Sequence, residues 1–259
     1  MKRALIVIDV QNEYVDGNLR ICFPDLFTSM PNIDVAMDAA ADGKIPLVVV
    51  QHVEDASSPL FARGSRGAAL HDEVASRSAD HTIEKSDVSA FRGTDLEAWL
   101  RSRQVDTVTI CGFMTQHCCE GTARDAAALG FHVEFLSDAT GTIDLVNQAG
   151  TVSAAALHQS VLVTMQSEFG AVATTAEWSL AVQAGDTLPV AGIYASSGHA
   201  RVPEKHAELH KLMHEVRADI DSEAAANEAH QFAHTLYVGQ GVTALLPGGT
   251  SSRDTRSAE

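Results

Sequence analysis

Three residues of this chain have the chemical types of a covalent catalyst: a carboxylate, Asp9, an amine, Lys85, and a thiol, Cys118. Cysteine is a nucleophile only as thiolate, so it needs a helix amino terminus, a nearby cation, or a base to take its proton. Cys118 could have all three. It follows Gly112-Phe113-Met114-Thr115 in the first turn of an expected helix, where free backbone N–H groups and the helix dipole favour an anion. The same N–H groups could cradle a developing oxyanion. Asp9 suits the base, and Lys85 the fixed positive charge that makes both anions tolerable in a partly buried site. Taken singly, each has a plainer reading: a loop-capping aspartate, a solvated lysine, a small buried thiol. Their joint placement is what argues for chemistry.

That placement depends on the elements that carry them. Residues 3–10, 45–53, 105–112, 131–136 and 160–164 are short, β-branched and apolar nearly throughout, and 81–84 adds a shorter run. Strands without alternation are covered on both faces, as in a parallel sheet. Helical patterns lie between them at about 33–42, 94–102, 117–129 and 147–158, with Thr94 and Glu97 spaced as a capping box and Gly130 at a helix end. The expectation is an α/β fold, doubly wound, whose ligands sit beyond the carboxyl ends of the strands. Asp9, Lys85 and the 112–118 segment all fall there.

From about residue 181 the character changes. A loop rich in Gly and Ser leads to expected helices at 203–218 and 222–237 and a disordered tail, an extension that docks on the core or on a neighbouring subunit. The expected division is therefore a catalytic domain at 1–180 and a helical C-terminal appendage at 181–259.

The 259 residues carry 34 acidic and 18 basic side chains, a formal charge of -16. Such a surface repels phosphate backbones and anionic membranes, so no nucleic acid and no membrane partner is expected. No apolar run reaches the roughly 18 residues of a membrane span. The opening Met1-Lys2-Arg3 followed by Ala4–Ile8 imitates a signal peptide, but Asp9 cuts the apolar run short and it reads as a first strand. Four cysteines, two of them adjacent, make a poor disulfide framework, which suggests a reducing cytoplasmic home.

The residues Ile8-Asp9-Val10-Gln11-Asn12, then Lys85 followed by Ser89-Ala90-Phe91-Arg92-Gly93-Thr94-Asp95-Leu96, then Cys111-Gly112-Phe113-Met114-Thr115-Gln116-His117-Cys118 and Thr122-Ala123-Arg124-Asp125-Ala126 are together far more specific than any one motif. Over about residues 3–180 the chain resembles the isochorismatase-like cysteine hydrolases, which include nicotinamidases and carbamoylsarcosine amidohydrolases. The resemblance implies a mainly parallel six-stranded sheet with helices on both faces and an Asp9, Lys85, Cys118 triad. It also implies a cis Phe113–Met114 peptide that turns the Met114 and Cys118 amides toward a substrate carbonyl oxygen, and a homo-oligomer, dimer or tetramer. The Thr-x-x-Cys spacing selects Cys118 as nucleophile; Cys119, about 100° round a helix, is read as packing, and Cys111 and Cys22 as structural. The implied reaction is hydrolysis of a small amide or lactam through a thioester.

Gln11, Tyr14, Phe91, Phe113 and His117, with the loop containing Pro59-Leu60-Phe61, are the expected pocket, whose apolar content suits a compact organic amide. The Gly112–Cys119 stretch also resembles streptothricin hydrolases, which open a lactam. Nicotinamidase-like members hold a metal through an Asp and two His after the second strand. Here the region reads Gln51-His52-Val53-Glu54-Asp55, so neither metal nor other cofactor is expected and His52 is read as lining the pocket or hydrogen bonding. His206, His210 and His214, and His230 and His234, recur at helical spacing, but no cysteine or paired carboxylate completes a metal site and a subunit contact is the simpler reading. Two rivals stand beside the amide hydrolase: an isochorismatase-type ether hydrolase, which needs no thiol, and a non-catalytic binding protein on the same fold.

Overall fold

A computed structural model describes residues 1–198. In chain order the elements are β1 (Arg3–Ile8), α1 (Asn12–Val15), α2 (Leu26–Asp42), β2 (Leu47–His52), α3 (Asp72–Ala75), β3 (His81–Lys85), α4 (Leu96–Ser102), β4 (Thr107–Phe113), a π-helical turn (Thr115–Cys119), α5 (Glu120–Ala128) and β5 (His132–Gly141). A small hairpin follows, β6 (Leu145–Asn147) and β7 (Gly150–Val152), then α6 (Ala154–Thr164), a second π-helical turn (Met165–Phe169), β8 (Ala171–Ala173), α7 (Thr175–Ala184) and α8 (Gly192–Ser196).

Six strands form one sheet in the order β3-β2-β1-β4-β5-β8, and every pairing in it is parallel. The central β1 is buried along its whole length, as its unbroken apolar sequence requires. Alternation then splits it between two cores. Ile6 and Ile8 face Leu96, Leu100, Ala123, Val161 and Met165 from α4, α5, α6 and the second π-helical turn. Leu5 and Val7 face Ile33, Ala36 and Met37 of α2 and Trp178 of α7. The fold is thus the α/β layer expected from strand and helix alternation.

Four local expectations change. The helix expected at 147–158 begins only at Ala154, and the residues before it form the β6–β7 hairpin. The run 160–164 is not a strand but the end of α6, capped by Ser153, whose hydroxyl accepts from the Ala156 N–H at 3.3 Å. Val161 is buried while Val163 is 54% exposed, so the β-branched residues are shared round a helix instead of lying in a sheet. The sixth strand is Ala171–Ala173, three small residues with too little side chain to give a periodic signal. The Thr94–Glu97 capping box does not form: Asp95 is the α4 N-cap, the Thr94 hydroxyl donates to the Ala90 carbonyl at 2.6 Å, and Glu97 pairs with Arg101 at 3.5 Å. Gly130 does sit past the end of α5 with φ 82°, the left-handed conformation that helix ends favour.

The boundary expected at residue 180 falls inside α7. Trp178 is fully buried, and its indole N–H donates to Glu134 at 2.8 Å. Glu134 also takes a bidentate contact from Arg3 and the Thr109 hydroxyl at 2.7 Å, and Arg3 reaches on to the Asp186 carbonyl at 2.6 Å. This network ties β1, β4, β5 and α7 together. The helices expected at 203–218 and 222–237, the histidine stripes and the tail lie outside the described residues.

Candidate active site

Four neighbouring strands, in the sheet order β3-β2-β1-β4, each deliver one polar side chain at their carboxyl ends. Lys85 ends β3, His52 ends β2, Asp9 follows β1, and Cys118 lies in the π-helical turn after β4. From β1 the chain continues to β2 on one side, while β4 lies on the other. The site therefore straddles the point where an open α/β sheet forms its crevice.

The backbone is shaped to bring these ends together. Asp9 adopts φ 51°, which costs a non-glycine residue roughly 1–2 kcal/mol and is least costly for Asp and Asn. Gly112 has φ 112°, and a Cβ built on it would lie 2.0 Å from the Ile8 carbonyl oxygen, so only glycine lets β4 lie this close where β1 turns into Asp9. The Phe113–Met114 peptide that follows is cis. The Cys119 N–H donates to the Met114 carbonyl at 3.2 Å, five residues back, which makes the first turn π-helical and not α-helical. His158, buried in α6, anchors that turn: its Nδ1 meets the Thr115 hydroxyl at 2.9 Å and its Nε2 faces the Ser137 carbonyl at 3.0 Å. On the other side the Thr122 hydroxyl accepts the Ala90 N–H at 3.0 Å and holds the chain after Lys85 against α5.

Lys85 is the hub. Its Nζ lies 2.7 Å from Asp9 Oδ2, with both side chains wholly withdrawn from solvent. It lies 3.1 Å from Cys118 Sγ, 3.1 Å from His52 Nδ1 and 3.1 Å from the Asp87 carbonyl. Asp9 meets the ammonium as an ion pair, and neither of its oxygens has a conventional hydrogen-bond partner among the described residues. An ammonium has three protons and this one has four acceptors, so the cluster is an electrostatic arrangement more than a set of paired bonds.

The electrostatics follow from that burial. Desolvation raises the Asp9 carboxyl above the usual aspartate range, against the opposing pull of Lys85. Burial, with the Asp9 carboxylate second, pushes the Cys118 thiol up to about 12. Burial acts to lower the Lys85 ammonium, but the charges of Asp9 and Cys118 outweigh it and the net shift is upward. With its thiol pushed up to about 12, Cys118 rests protonated at neutral pH, so the helix amino terminus alone does not make a standing thiolate. Moving the thiol proton to Asp9 leaves one negative and one positive charge in either arrangement, which is why it can happen in a dry site.

The other residues expected in the pocket divide. Tyr14 is buried beside the cluster, its ring 5.8 Å from Phe113 and 5.2 Å from Phe61, and that burial above all raises its phenol. Phe61 also meets the His52 ring edge-on at 5.2 Å. Gln11 is not free for a ligand. Its Nε2 donates to the His52 and Ala68 carbonyls at 2.8 and 2.6 Å, and its Oε1 accepts the His52 N–H at 3.0 Å, so it fixes the end of β2 instead. Phe91 packs on Phe131 at 6.0 Å, at the amino end of β5 and so at the opposite edge of the sheet. Phe113 is fully buried in the core, and His117 is exposed and makes no side-chain hydrogen bond within the cluster among the described residues.

Cys119 and Cys111 are fully buried, and burial pushes both thiols up, in keeping with packing roles; Cys22 is exposed. The sequence assigns no role to Glu54 or His158. Glu54 Oε1 lies 2.7 Å from His52 Nε2, and the spacing of two residues at a strand end was a usable signal. His158 gave none, being one polar residue in an apolar helix. A concavity lined by Asp106, His132, Glu134 and Glu168 lies at the amino ends of β4 and β5, away from this cluster.

Asp9, His52 and Cys118 bring donor atoms within 4.8 Å of one another. Lys85 Nζ, at 2.7–3.1 Å from all three, fills the place a divalent cation would need, so this set does not fit a metal ion.

Residues 3–177 match the isochorismatase domain model, and the chain belongs to the isochorismatase family of hydrolases. A solved structure of a candidate isochorismatase from Burkholderia xenovorans LB400 is 52% identical, with 78% of this chain and 98% of that one covered and a TM-score of 0.76. The ureidoacrylate amidohydrolase RutB of Acinetobacter baylyi is 31% identical over 205 residues, which cover 66% of this chain and 80% of the relative. The N-carbamoylsarcosine amidase of an Arthrobacter species is 30% identical over 145 residues, 49% of this chain and 55% of the relative.

Proposed function

We propose that this chain is a cysteine-dependent hydrolase of a small amide or lactam C–N bond. The observation that carries the reading is the Lys85 ammonium held at once against Asp9 and Cys118, 2.7 and 3.1 Å away. The named activities of RutB and N-carbamoylsarcosine amidase, both on non-peptide C–N bonds, support the choice of bond. A nucleophilic sulfur in the cluster favours amide over vinyl-ether hydrolysis, which has no use for it.

In this reading Asp9 takes the Cys118 proton while Lys85 holds the charges apart. The thiolate adds to the carbonyl carbon, and the oxyanion is met by the Met114 and Cys118 amides. The C–N bond breaks as Asp9 returns the proton to nitrogen, releasing ammonia or an amine and leaving a thioester on Cys118. Asp9 then takes a proton from water, the hydroxide displaces sulfur, and the proton on Asp9 restores the thiol. Tyr14 and Phe61 form the apolar wall of the substrate site. No cofactor enters these steps. We further propose that the protein works as a homo-oligomer, as the family resemblance implies, and in the reducing cytoplasm, which its four free thiols suit. No helix among the described residues is long and apolar enough to cross a membrane.

The test is a screen of ureido and carbamoyl compounds for ammonia or amine release, and of lactams for the amino acid formed by ring opening. A productive substrate should trap an acyl adduct on Cys118 by intact mass, and Cys118→Ser should lose at least about 1,000-fold in kcat. Turnover by Cys118→Ser at the wild-type rate would overturn the reading, and an active ether substrate with no adduct would replace it by the ether hydrolase.

A further inference from the structure

Two features outside the three-residue cluster bear on how it works. His52 Nδ1 lies 3.1 Å from Lys85 Nζ, and its Nε2 lies 2.7 Å from Glu54 Oε1. A carboxylate accepts and an ammonium donates, so both contacts are satisfied only by the neutral tautomer with its proton on Nε2 and its lone pair toward Lys85. Gln11 and Phe61 hold the ring in that orientation, Gln11 by gripping the His52 backbone at N–H and carbonyl, Phe61 by edge contact.

We propose that His52, oriented by Glu54, is a positioning residue that shares the Lys85 ammonium and so keeps Asp9 basic enough to take the Cys118 proton. The inference rests on the hydrolase reading given above and deepens it. Nζ has only three protons for Asp9, Cys118, His52 and the Asp87 carbonyl. Each one taken by a neutral acceptor is withheld from the two acids. With the His52 acceptor gone, the freed Nζ proton turns onto Asp9, whose oxygens have no directed partner among the described residues, while Cys118 keeps the contact it already has. An opposite charge drawn closer lowers the affinity of a carboxylate for protons, so Asp9 becomes the weaker base. The titratable groups facing the cluster are Asp9 from β1, Tyr14 from α1, His52 from β2, Lys85 from β3, and Cys118 and Cys119 from the π-helical turn. Of these, only His52 offers a neutral nitrogen lone pair to the ammonium.

The test compares His52→Leu, which keeps bulk but has no acceptor, with His52→Asn, whose amide oxygen can stand near the Nδ1 position. In His52→Leu the acid limb of kcat/KM should move to lower pH by roughly half a unit to one unit, with kcat down about 10- to 100-fold and KM little changed. His52→Asn should bring both back toward wild type, and Glu54→Ala should give a smaller shift in the same direction. The pH dependence of Cys118 alkylation by iodoacetamide, followed by intact mass, needs no substrate and should show the same order, with its midpoint lowest in His52→Leu. Should amide turnover be absent in every variant while the alkylation midpoints still move, the hydrolase reading fails and the His52 inference stands. An unmoved midpoint in folded His52→Leu, or in Glu54→Ala if the leucine variant does not fold, overturns the inference, as does an asparagine variant no closer to wild type than leucine.

Discussion

Asp9 and Lys85 form an ion pair 2.7 Å apart with neither side chain reaching solvent. Burying such a pair gains little over a well-packed apolar pair, and burying one member alone is costly. Its presence is better explained by what it does to the neighbouring sulfur than by stability.

That asymmetry can be measured. Asp9→Leu or Lys85→Met alone should destabilise the protein by about 3–5 kcal/mol, since each strands a buried charge or its polar remnant. The double variant should recover much of that loss while remaining inactive. Urea unfolding of the two single variants and the double completes the cycle, and additive losses would show that the two groups do not act as a pair.

The pH profile should be displaced from that of an ordinary aspartate. Only ionised Asp9 can accept the thiol proton, so kcat/KM rises as pH passes through its pKa. Because burial raises that pKa, the acid limb should lie above the roughly 3.9 of a free aspartate. The free thiol, pushed up to about 12, should stay largely protonated at neutral pH, so Cys118 should absorb little at 240 nm until strongly alkaline conditions. A thiolate signal at pH 7 in the wild type would contradict this description.

Gly112→Ala is expected to be among the most damaging single changes. It adds a Cβ 2.0 Å from the Ile8 carbonyl oxygen at φ 112°, with no flexible side chain to give way. A loss on the order of 3 kcal/mol or more is expected, with thermal melting as the readout. Gly130→Ala, at φ 82° with open space around it, should cost only about 1 kcal/mol.

Glu134 offers the complementary case of stability without chemistry. It takes contacts from Arg3, Thr109 and Trp178, all remote from Cys118. Glu134→Ala leaves the buried Arg3 guanidinium without its counter-charge, with only the Asp186 carbonyl, and the indole N–H with only the Thr109 hydroxyl, and should cost about 3–5 kcal/mol. Where enough folded protein remains, kcat per active site should match wild type.

The sheet was legible because its central strands are buried on both faces, and continuous runs such as Ala4–Ile8 and Leu47–Val50 admit few other readings. The order of Asp9, Lys85 and Cys118 along the chain, each just past a strand, likewise pointed to one edge. Side-chain orientation was not legible. Gln11 and Phe91 sit beside motif residues, yet one is consumed by backbone partners and the other turns toward Phe131. The run at 160–164 misled because β-branched residues near a helix end look locally like a strand, and only the Ser153 cap and the burial of Val161 but not Val163 distinguish the two. His52 was noticed, but its bond to Lys85 depends on β2 and β3 being neighbours, a pairing that no local pattern encodes.

The four groups of the cluster come from four adjacent strands of the six, and β5 and β8 supply none of them. Those two strands still bear on the site: the Ser137 carbonyl of β5 meets His158, which anchors the turn carrying Cys118, and Glu134 ties β5 to β1 and β4. A change in the loop following any one of β1, β2, β3 or β4 moves its group relative to the other three, in a cluster that meets within 2.7–3.1 Å of the Lys85 ammonium.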